Sequence, residues 1–328
     1  MRALTFLFFT LTFSFAAKAQ SPSDLAYTRC AETKGPLEHI IAACTESLKE
    51  KQLTTRSRAR IHAIKGNIYK ENGLYEKAIA EYEFSIAVDP KYQYGYNGRA
   101  VSRAKFGDID KAFDDFNKAI ELDPKNSILF SNRAHWYSEI GSFEKSLSDY
   151  NKAIEFAPMN SDNYYHRAIT LTSMNRMDDA IADYTKAIQI NPKYHQAYLN
   201  RATLRSNPND KLADLNSAIL IWPDFPLALS HRGYGFNDLK QYDNAIADFD
   251  RVLQRFPRDY YALKGRGWSW FRKGDLDKAL ADLNESIRQN PKSSDAYLVR
   301  SHIWTAKGDS DRAQSDVNEA QRLKGSKQ

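Results

Sequence analysis

The sequence predicts an all-α protein, an α-solenoid built from stacked helix–turn–helix repeats. A phrase near the middle of the chain, "KAFDDFNKAIELDPKN" at 111–126, returns as "KSLSDYNKAIEFAPMN" at 145–160 and as "DAIADYTKAIQINPKY" at 179–194. Within each copy and ahead of it, apolar residues recur at helical spacing. One helix pair cannot bury its apolar face alone, so repetition at this period predicts that successive pairs stack into a continuous core.

The first twenty residues, "MRALTFLFFTLTFSFAAKAQ", differ from the rest of the chain. Arg2 precedes a mostly apolar run at 3–17, and the small-residue pattern Ala17-Lys18-Ala19 follows it. These are the three parts of a secretory signal peptide, predicted at residues 1–19. A membrane anchor is the alternative, but the run is shorter than the ~20 residues that a spanning helix needs. We expect export, to a periplasmic or secreted location, and no stable membrane span after cleavage.

Composition and charge exclude several other classes of protein. The 328 residues are 42% hydrophobic and 27% charged, as in an ordinary soluble protein. Without residues 1–19, 45 basic and 41 acidic residues remain, and this small excess is dispersed along the chain. Proteins that bind nucleic acids carry clustered basic residues. The sequence therefore predicts no nucleic-acid partner.

Residues 20–58 are predicted to form a helical cap that contains both cysteines of the chain, Cys30 and Cys44. Residues 24–33 and the apolar spacing after residue 37 predict two short helices, and Gly35-Pro36 is a turn signal between them. An antiparallel hairpin would place the two cysteines face to face, and an exported chain meets an oxidising compartment. We expect a structural disulfide. A metal or redox role is the alternative, although two thiols at this spacing match no metal motif.

Prolines and turn residues mark the repeats. The prolines recur at a constant interval that is shortened once, before Pro223: Pro90, Pro124, Pro158, Pro192, Pro223, Pro257 and Pro291. Residues suited to a left-handed turn lie between the two helical patterns: Gly73, Gly107, Gly141, Asn175, Gly274 and Gly308, with Lys240 in the sixth unit. The eight predicted repeats span 59–92, 93–126, 127–160, 161–194, 195–225, 226–259, 260–293 and 294–327.

The repeats resemble the tetratricopeptide repeat family, whose unit is a helix–turn–helix of about 34 residues. Small residues match on the first helices at Gly66, Ala100, Ala134, Ala168, Ala202, Gly233, Gly267 and Ser301. Large residues match on the second helices at Tyr82, Phe116, Tyr150, Tyr184, Leu215, Phe249, Leu283 and Val317. The resemblance covers residues 59–327 and implies a right-handed superhelix that acts as an interaction scaffold.

The fifth repeat, 195–225, departs most from the pattern. It is three residues shorter than the others, "SNPND" replaces its turn glycine, and Lys211 stands where other repeats have a small residue. Because the missing residues fall in the turn, we expect both helices to survive, with a local change in curvature. In the eighth repeat, two apolar second-helix positions become Gln314 and Gln321, which predicts a polar end to the array.

A ladder of opposite charges is the most conspicuous charged feature. The first helices carry Arg99, Arg133, Arg167, Arg201, Arg232, Arg266 and Arg300, and the second helices carry Asp115, Asp149, Asp183, Asp214, Asp248, Asp282 and Asp316. The first repeat has Lys65 and Glu81 at these positions. Buried charges are expected to come in pairs, so we predict structural ion pairs. The alternative is an arginine groove for phosphate or carboxylate ligands.

Catalytic and metal-binding patterns are not found in the sequence. The seven histidines have no metal-ligand spacing, and no nucleophile, base and orienting residue can be named together. We therefore predict neither an enzyme nor a cofactor nor a metal site.

A binding function remains. In the family that this chain resembles, the first helices line a concave groove that holds extended peptides or helices. The corresponding positions predict a partner-binding groove at Tyr94, Asn97, His135, Tyr165, Tyr234, Tyr261, Lys264, Trp268 and Phe271. The function predicted is an exported scaffold for a protein or peptide ligand. The alternative is a glycan-binding or cell-envelope assembly module that uses the same aromatic residues, and the oligomeric state stays open.

Overall fold

The computed structural model describes residues 22–325. The predicted signal peptide at 1–19 lies outside the described residues, as do the first residues of the predicted cap and the last two of the predicted eighth repeat. Across residues 22–325 the chain forms helices joined by turns, with no strand. The all-α, helix–turn–helix fold class is confirmed.

The helices follow one another in pairs. Their bounds are α1 Pro22–Glu32, α2 Leu37–Ser47, α3 Thr55–Glu71, α4 Tyr75–Val88, α5 Gln93–Phe106, α6 Ile109–Leu122, α7 Ser127–Glu139, α8 Phe143–Phe156, α9 Ser161–Ser173, α10 Met177–Ile190, α11 His195–Leu204, α12 Pro208–Ile221, α13 Pro226–Asp238, α14 Tyr242–Arg255, α15 Tyr260–Lys273, α16 Leu276–Gln289, α17 Ser294–Ala306 and α18 Ser310–Gly325. The chain divides into two compact units between Trp136 and Tyr137. Within each unit, helices pack mainly against their neighbours in the chain.

The turns between paired helices have the left-handed backbone that their residues predicted. Gly107 ends α5 at φ 102°, and Gly274 ends α15 at φ 89°. Two non-glycine residues take the same conformation, Asn175 at φ 58° and Lys240 at φ 57°. The sixth repeat therefore turns as the others do, although a lysine is sterically less suited to this region than a glycine.

Small residues on the first helices make room for the large residues of the second helices. The ring of Tyr82, fully buried in α4, lies between Gly66 and Gly98, and a Cβ added at Gly98 would overlap that ring. In the second unit, Phe249 lies against Gly233 and Gly265 in the same way. The repeated small and large positions are therefore two halves of one packing contact.

The N-terminal cap is held together by the expected disulfide. Cys30 in α1 is bonded to Cys44 in α2, and their Cα atoms are 4.3 Å apart. The two half-cystines share a core with Ala26 and with Ile61 of α3. The cap therefore covers the apolar face of the first repeat, and the prediction of a structural disulfide is confirmed.

Both helices of the short fifth repeat are present, as expected, but the first is truncated. Helix α11 has 10 residues, while α9 and α13 on either side each have 13. Helix α12 begins at Pro208, and the Asn207 side chain accepts hydrogen bonds from the first backbone N–H groups of that helix. The deletion therefore removes the last turn of α11 and leaves the start of α12 well capped. In the eighth repeat, Gln314 and Gln321 are exposed.

Candidate binding surface

Arginines and aspartates of the predicted ladder form two-bond ion pairs between the helices of a repeat. Arg167 donates from Nε and Nη2 to the two carboxylate oxygens of Asp183, both at 2.7 Å. Parallel bonds of this kind fix geometry and are stronger than bonds between neutral groups. The same two bonds join Arg99 to Asp115, Arg201 to Asp214, Arg232 to Asp248, Arg266 to Asp282 and Arg300 to Asp316.

Most ladder arginines also donate a hydrogen bond to the second helix of the preceding repeat. These bonds were not predicted from the sequence. Arg167 Nη1 donates to Asn151 Oδ1 on the second helix before it, at 2.6 Å. The equivalent bonds run from Arg133 to Asn117, Arg201 to Thr185, Arg232 to Asn216, Arg266 to Asp250 and Arg300 to Asn284. The sequence carried a signal for this series, because a polar residue stands two positions after each ladder aspartate. These guanidinium groups are committed to neighbouring helices, which favours the structural interpretation over an arginine groove.

The first repeat varies this arrangement. Glu81, in α4, lies 2.6 Å from Lys65 Nζ and 2.8 Å from His62 Nδ1. Burial opposes ionisation of Glu81, but the hydrogen bonds from His62 and Lys65 outweigh it and hold the pKa of Glu81 below its ordinary value.

In the first unit, the predicted groove residues are half-buried, and two of them accept hydrogen bonds from asparagine side chains. The Tyr94 hydroxyl accepts a hydrogen bond from Asn126 Nδ2 at 3.0 Å, and Asn97 Oδ1 accepts one from Asn132 Nδ2 at 3.1 Å. His135 lies edge-on to Trp136, with ring centroids 5.6 Å apart. These side chains help to join repeats and also keep part of their surface exposed.

In the fourth repeat, Tyr165 packs among other rings. It stacks on Tyr194 with centroids 4.7 Å apart, and its hydroxyl accepts a hydrogen bond from Asn200 at 3.1 Å. Burial is the main cause that raises the pKa of Tyr165 above its ordinary value. Much of this ring therefore belongs to packing between repeats.

Helices α13 and α15 carry the densest group of predicted residues, Tyr234, Tyr261, Lys264, Trp268 and Phe271, which we call the aromatic face. Tyr234 and Tyr261 have ring centroids 4.5 Å apart, and the Tyr234 hydroxyl donates to the Tyr261 backbone oxygen at 2.8 Å. Lys264 Nζ lies close to both rings, 5.7 Å from the Tyr234 centroid and 5.4 Å from the Tyr261 centroid. Such cation–π contacts favour a lysine that is partly withdrawn from water.

The distal half of the aromatic face is centred on Trp268. Its ring centroid is 5.5 Å from that of Phe271 and 6.4 Å from that of His302 on α17. The Arg272 guanidinium lies 5.3 Å from the Trp268 ring centroid. Phe271 packs against the core of the seventh repeat, whereas Trp268 stays partly exposed above it.

Other apolar side chains are more exposed than any residue of the predicted groove. Leu220 is 83% exposed and Trp222 is 42% exposed, at the end of α12 and in the loop after it. Trp222 stacks on Phe225 with centroids 4.8 Å apart. Neither residue was predicted to be exposed, although most repeats carry a polar residue at both positions.

Within the described part of the chain, no three His, Cys, Asp or Glu residues are grouped so that they could hold a metal ion. None of the helices between residues 22 and 325 has the length and apolar content that crossing a membrane would require.

Comparisons with known proteins agree with this architecture. One tetratricopeptide repeat model matches residues 65–127 and 236–294, and a second matches residues 161–194. The repeats in these matched segments are therefore tetratricopeptide repeats, the family that the sequence resembled. Repeats of this family form scaffolds that bind proteins or peptides. No curated protein matches the sequence.

Two solved structures have a similar fold. One is the crystal structure of the APC/C hetero-tetramer Cut9–Hcn1. A chain of it is 15% identical in sequence to this protein, the match covers 95% of this chain and 62% of that chain, and the TM-score is 0.57. PilF of Pseudomonas aeruginosa is 16% identical over 77% of this chain and 100% of its own, with a TM-score of 0.51. At these identities the likeness is one of fold.

Proposed function

We propose that this protein is an exported scaffold that binds an extended peptide or a protein segment across the aromatic face. The observation that carries the proposal is the group formed by Tyr234, Tyr261, Lys264 and Trp268 on neighbouring first helices. These side chains are half-buried, so their positions are fixed before a partner arrives. Aromatic residues held in this way lose little conformational entropy on binding and often dominate interface energy.

The chemistry of the face favours a peptide. Lys264 is 3.7 Å from Asp295, whose own side chain is 66% exposed, so charge and aromatic surface lie side by side. A peptide can match both, with an apolar side chain on the rings and backbone or polar groups beside the ammonium. Arginines of the ladder, such as Arg266, are bonded to neighbouring second helices, so we expect them to contribute little to this recognition.

Export is supported by two independent features of the chain. The first nineteen residues have the composition of a signal peptide. The cap contains a disulfide, a bond that persists in oxidising compartments and is rare in the cytosol. These two features together support a periplasmic or secreted location.

The binding proposal is tested with residues 20–328 of the chain and a random peptide library. We expect selection of a defined peptide, and we expect Trp268→Ala to weaken its binding at least tenfold, about 1.4 kcal/mol, because the ring is a central anchor. Trp222→Ala is the matched control, since it removes an exposed tryptophan that lies off the face.

The outcomes separate the alternatives. Equal loss in both variants, or loss that follows unfolding measured by circular dichroism, would mean that Trp268 is a packing residue and that the face is not the site. Glycans are screened in parallel. Binding of a glycan that depends on Trp268, with no peptide selected, would replace the peptide by a sugar ligand.

A further inference from the structure

The shortened fifth repeat opens a small cavity beside the aromatic face. Helix α11 ends at Leu204, and the counterpart of its missing turn in the fourth repeat is 171–173 of α9. The cavity has a volume of about 140 Å³ and is lined by Thr203, Lys211, His231, Tyr234 and Asp238, among others. A void of this size has room for a few atoms of a ligand side chain.

Lys211 occupies a position at which the other repeats have a small residue. The equivalent residues Ala78, Ala180 and Ala245 are fully buried between the two helices of their repeats. In the fourth repeat, Leu171 from the last turn of the first helix shares a core with Ala180. Because α11 lacks that turn, space is left for a lysine side chain, which is half-buried here.

The positive charge of Lys211 has no counter-ion in the described structure. Between residues 22 and 325, no hydrogen bond or ion pair joins its ammonium to another group. Withdrawing a cation from water without a partner is unfavourable, so this position favours an anion. Asp238, which also lines the cavity, is exposed and is not paired with Lys211.

His231 adds a second group that can donate to an anion. Burial, and then the charge of Lys211, lower the pKa of His231 below its ordinary value. The imidazole is therefore mainly neutral at pH 7, and its N–H can donate one hydrogen bond without a second cation being needed. Lysine and histidine thus line one small polar cavity from α12 and α13.

The cavity adjoins the aromatic face, because Tyr234 belongs to both. Tyr234 lines the cavity and also lies against Tyr261, to whose backbone oxygen it donates a hydrogen bond. Residues of an extended peptide advance by about 3.3 Å each. A peptide with one side chain on the Tyr234 and Tyr261 rings could therefore place a nearby side chain in the cavity.

We propose that this cavity receives the carboxylate of an aspartate or glutamate side chain of the bound peptide, held by the Lys211 ammonium and the His231 imidazole. The proposal rests on the peptide-binding function proposed above and names the side chain that the partner must carry. Bonds between a charged donor and a carboxylate are among the stronger hydrogen bonds in proteins, and partial burial strengthens them further.

A minimal ligand tests the cavity without the rest of the peptide. The probes are Ac-Gly-Asp-Gly-NH2 and Ac-Gly-Asn-Gly-NH2, which differ only by the carboxylate, and the readout is the NMR signals of the His231 ring in the 20–328 chain. We expect the Asp probe to shift these signals and to raise the pKa of His231, and the Asn probe to bind at least tenfold more weakly. Equal effects of the two probes, or none, would overturn the proposal.

Variants of Lys211 extend the test. Lys211→Ala introduces the residue that most other repeats have at this position, so the fold should survive, and Lys211→Gln keeps the length of the side chain. Both should weaken Asp-probe binding at least tenfold. Lys186→Ala removes the same charge from an exposed position on α10 and should change nothing. If the folded Lys211→Ala variant bound the Asp probe as tightly as the unsubstituted protein, the proposal would be wrong.

A peptide array separates this proposal from the proposed function. Acetylated and amidated octapeptides are used, so that side chains supply every carboxylate. If Trp268→Ala abolishes binding but the selected peptides show no acidic preference, the face is a site and the cavity proposal fails. If no peptide binds while the Asp probe still shifts His231, the cavity proposal holds and the proposed function fails.

Discussion

Arg167 makes hydrogen bonds to two second helices at once, to Asp183 in its own repeat and to Asn151 in the repeat before it. The guanidinium carbon of Arg167 also lies 5.6 Å from the centroid of the Tyr164 ring. Arginine suits this role because its planar group has five donors in a fixed geometry, which a lysine lacks. A single residue type thereby joins the helices of one repeat and connects neighbouring repeats.

We expect Asp183→Ala to lower the free energy of unfolding by about 3 kcal/mol, because it leaves Arg167 without its counter-ion. Arg167→Leu should cost less, since leucine removes the charge and can pack between the helices. Urea unfolding of the two variants measures the difference. If Arg167→Leu left stability unchanged but abolished peptide binding, the arginine would be a ligand-binding residue instead.

Acid should weaken the first repeat through Glu81. Because its pKa is lower in the folded chain than the value of about 4.3 for a free glutamate, the unfolded state binds the proton first. The stability that Glu81 contributes is therefore fully present above that ordinary value and is lost as the pH falls through the folded pKa. We expect Glu81→Gln to cost about 1–2 kcal/mol at pH 7. The difference from the unsubstituted protein should shrink towards zero near pH 3; a difference that is independent of pH would contradict this.

Turns between paired helices are the elements in which the repeats differ most. Glycine makes most of them, whereas Asn175 and Lys240 take the left-handed conformation at some steric cost. In the fifth repeat the deletion removes the last turn of α11, which leaves space for the half-buried Lys211 and for the cavity. A local deletion thus alters the surface that a partner could contact, while both helices are retained.

Lys240→Gly should stabilise the sixth repeat by about 0.5–1 kcal/mol, because glycine adopts a positive φ without steric cost. Thermal unfolding followed by circular dichroism measures the gain. Lys186→Gly is the opposite control, since glycine in the middle of α10 should cost about 1 kcal/mol. A loss of stability in Lys240→Gly would show that the lysine side chain matters more than its backbone.

Removing the disulfide should weaken the cap. The bonded cysteines are 14 residues apart, and in the chain-entropy account a closed loop of this size contributes about 3 kcal/mol. We expect the Cys30→Ser, Cys44→Ser double variant to lose about that amount and to become insensitive to reductant. Two reactive thiols in the unfolded, oxidised protein would disprove the bond.

Within each of the two compact units, the described repeats contact mainly their neighbours, and a disulfide-bonded cap covers the first repeat. In such arrays stability is close to a sum of repeat and nearest-neighbour terms, so a departure in one repeat is tolerated by the others. The fifth repeat can therefore carry an unpaired lysine and a cavity without loss of the array. Binding chemistry can be placed in one repeat while the rest supply the framework.

Export predicts a specific processed form. When the full chain is produced in a bacterium with a Sec pathway, the mature protein should begin at Gln20, after the small residues Ala17 and Ala19. Intact mass and N-terminal sequencing measure this. Ala19→Leu should retain the uncleaved form, and recovery of the full-length chain from the cytoplasm without Ala19→Leu would contradict export.

The constant repeat period, the turn glycines and the matched small and large positions were enough to predict the repeats and their helix pairs. These features are local in sequence and recur, so each copy supports the assignment of the others. The symmetric cysteines likewise predicted the disulfide from two short helices and one turn. The base and acid series of the ladder were visible too, because both repeat with the same period.

Contacts between repeats could only be read from the tertiary structure, because they depend on how far apart two helices lie. The hydrogen bonds from Arg167 and five other ladder arginines to the preceding repeat, the half-burial of the aromatic face and the exposure of Trp222 are all of this kind. The sequence showed that the fifth repeat is three residues shorter than the others and that it has Lys211 where they have a small residue. That these two departures together form one cavity beside Tyr234 follows only from the packing of α11, α12 and α13.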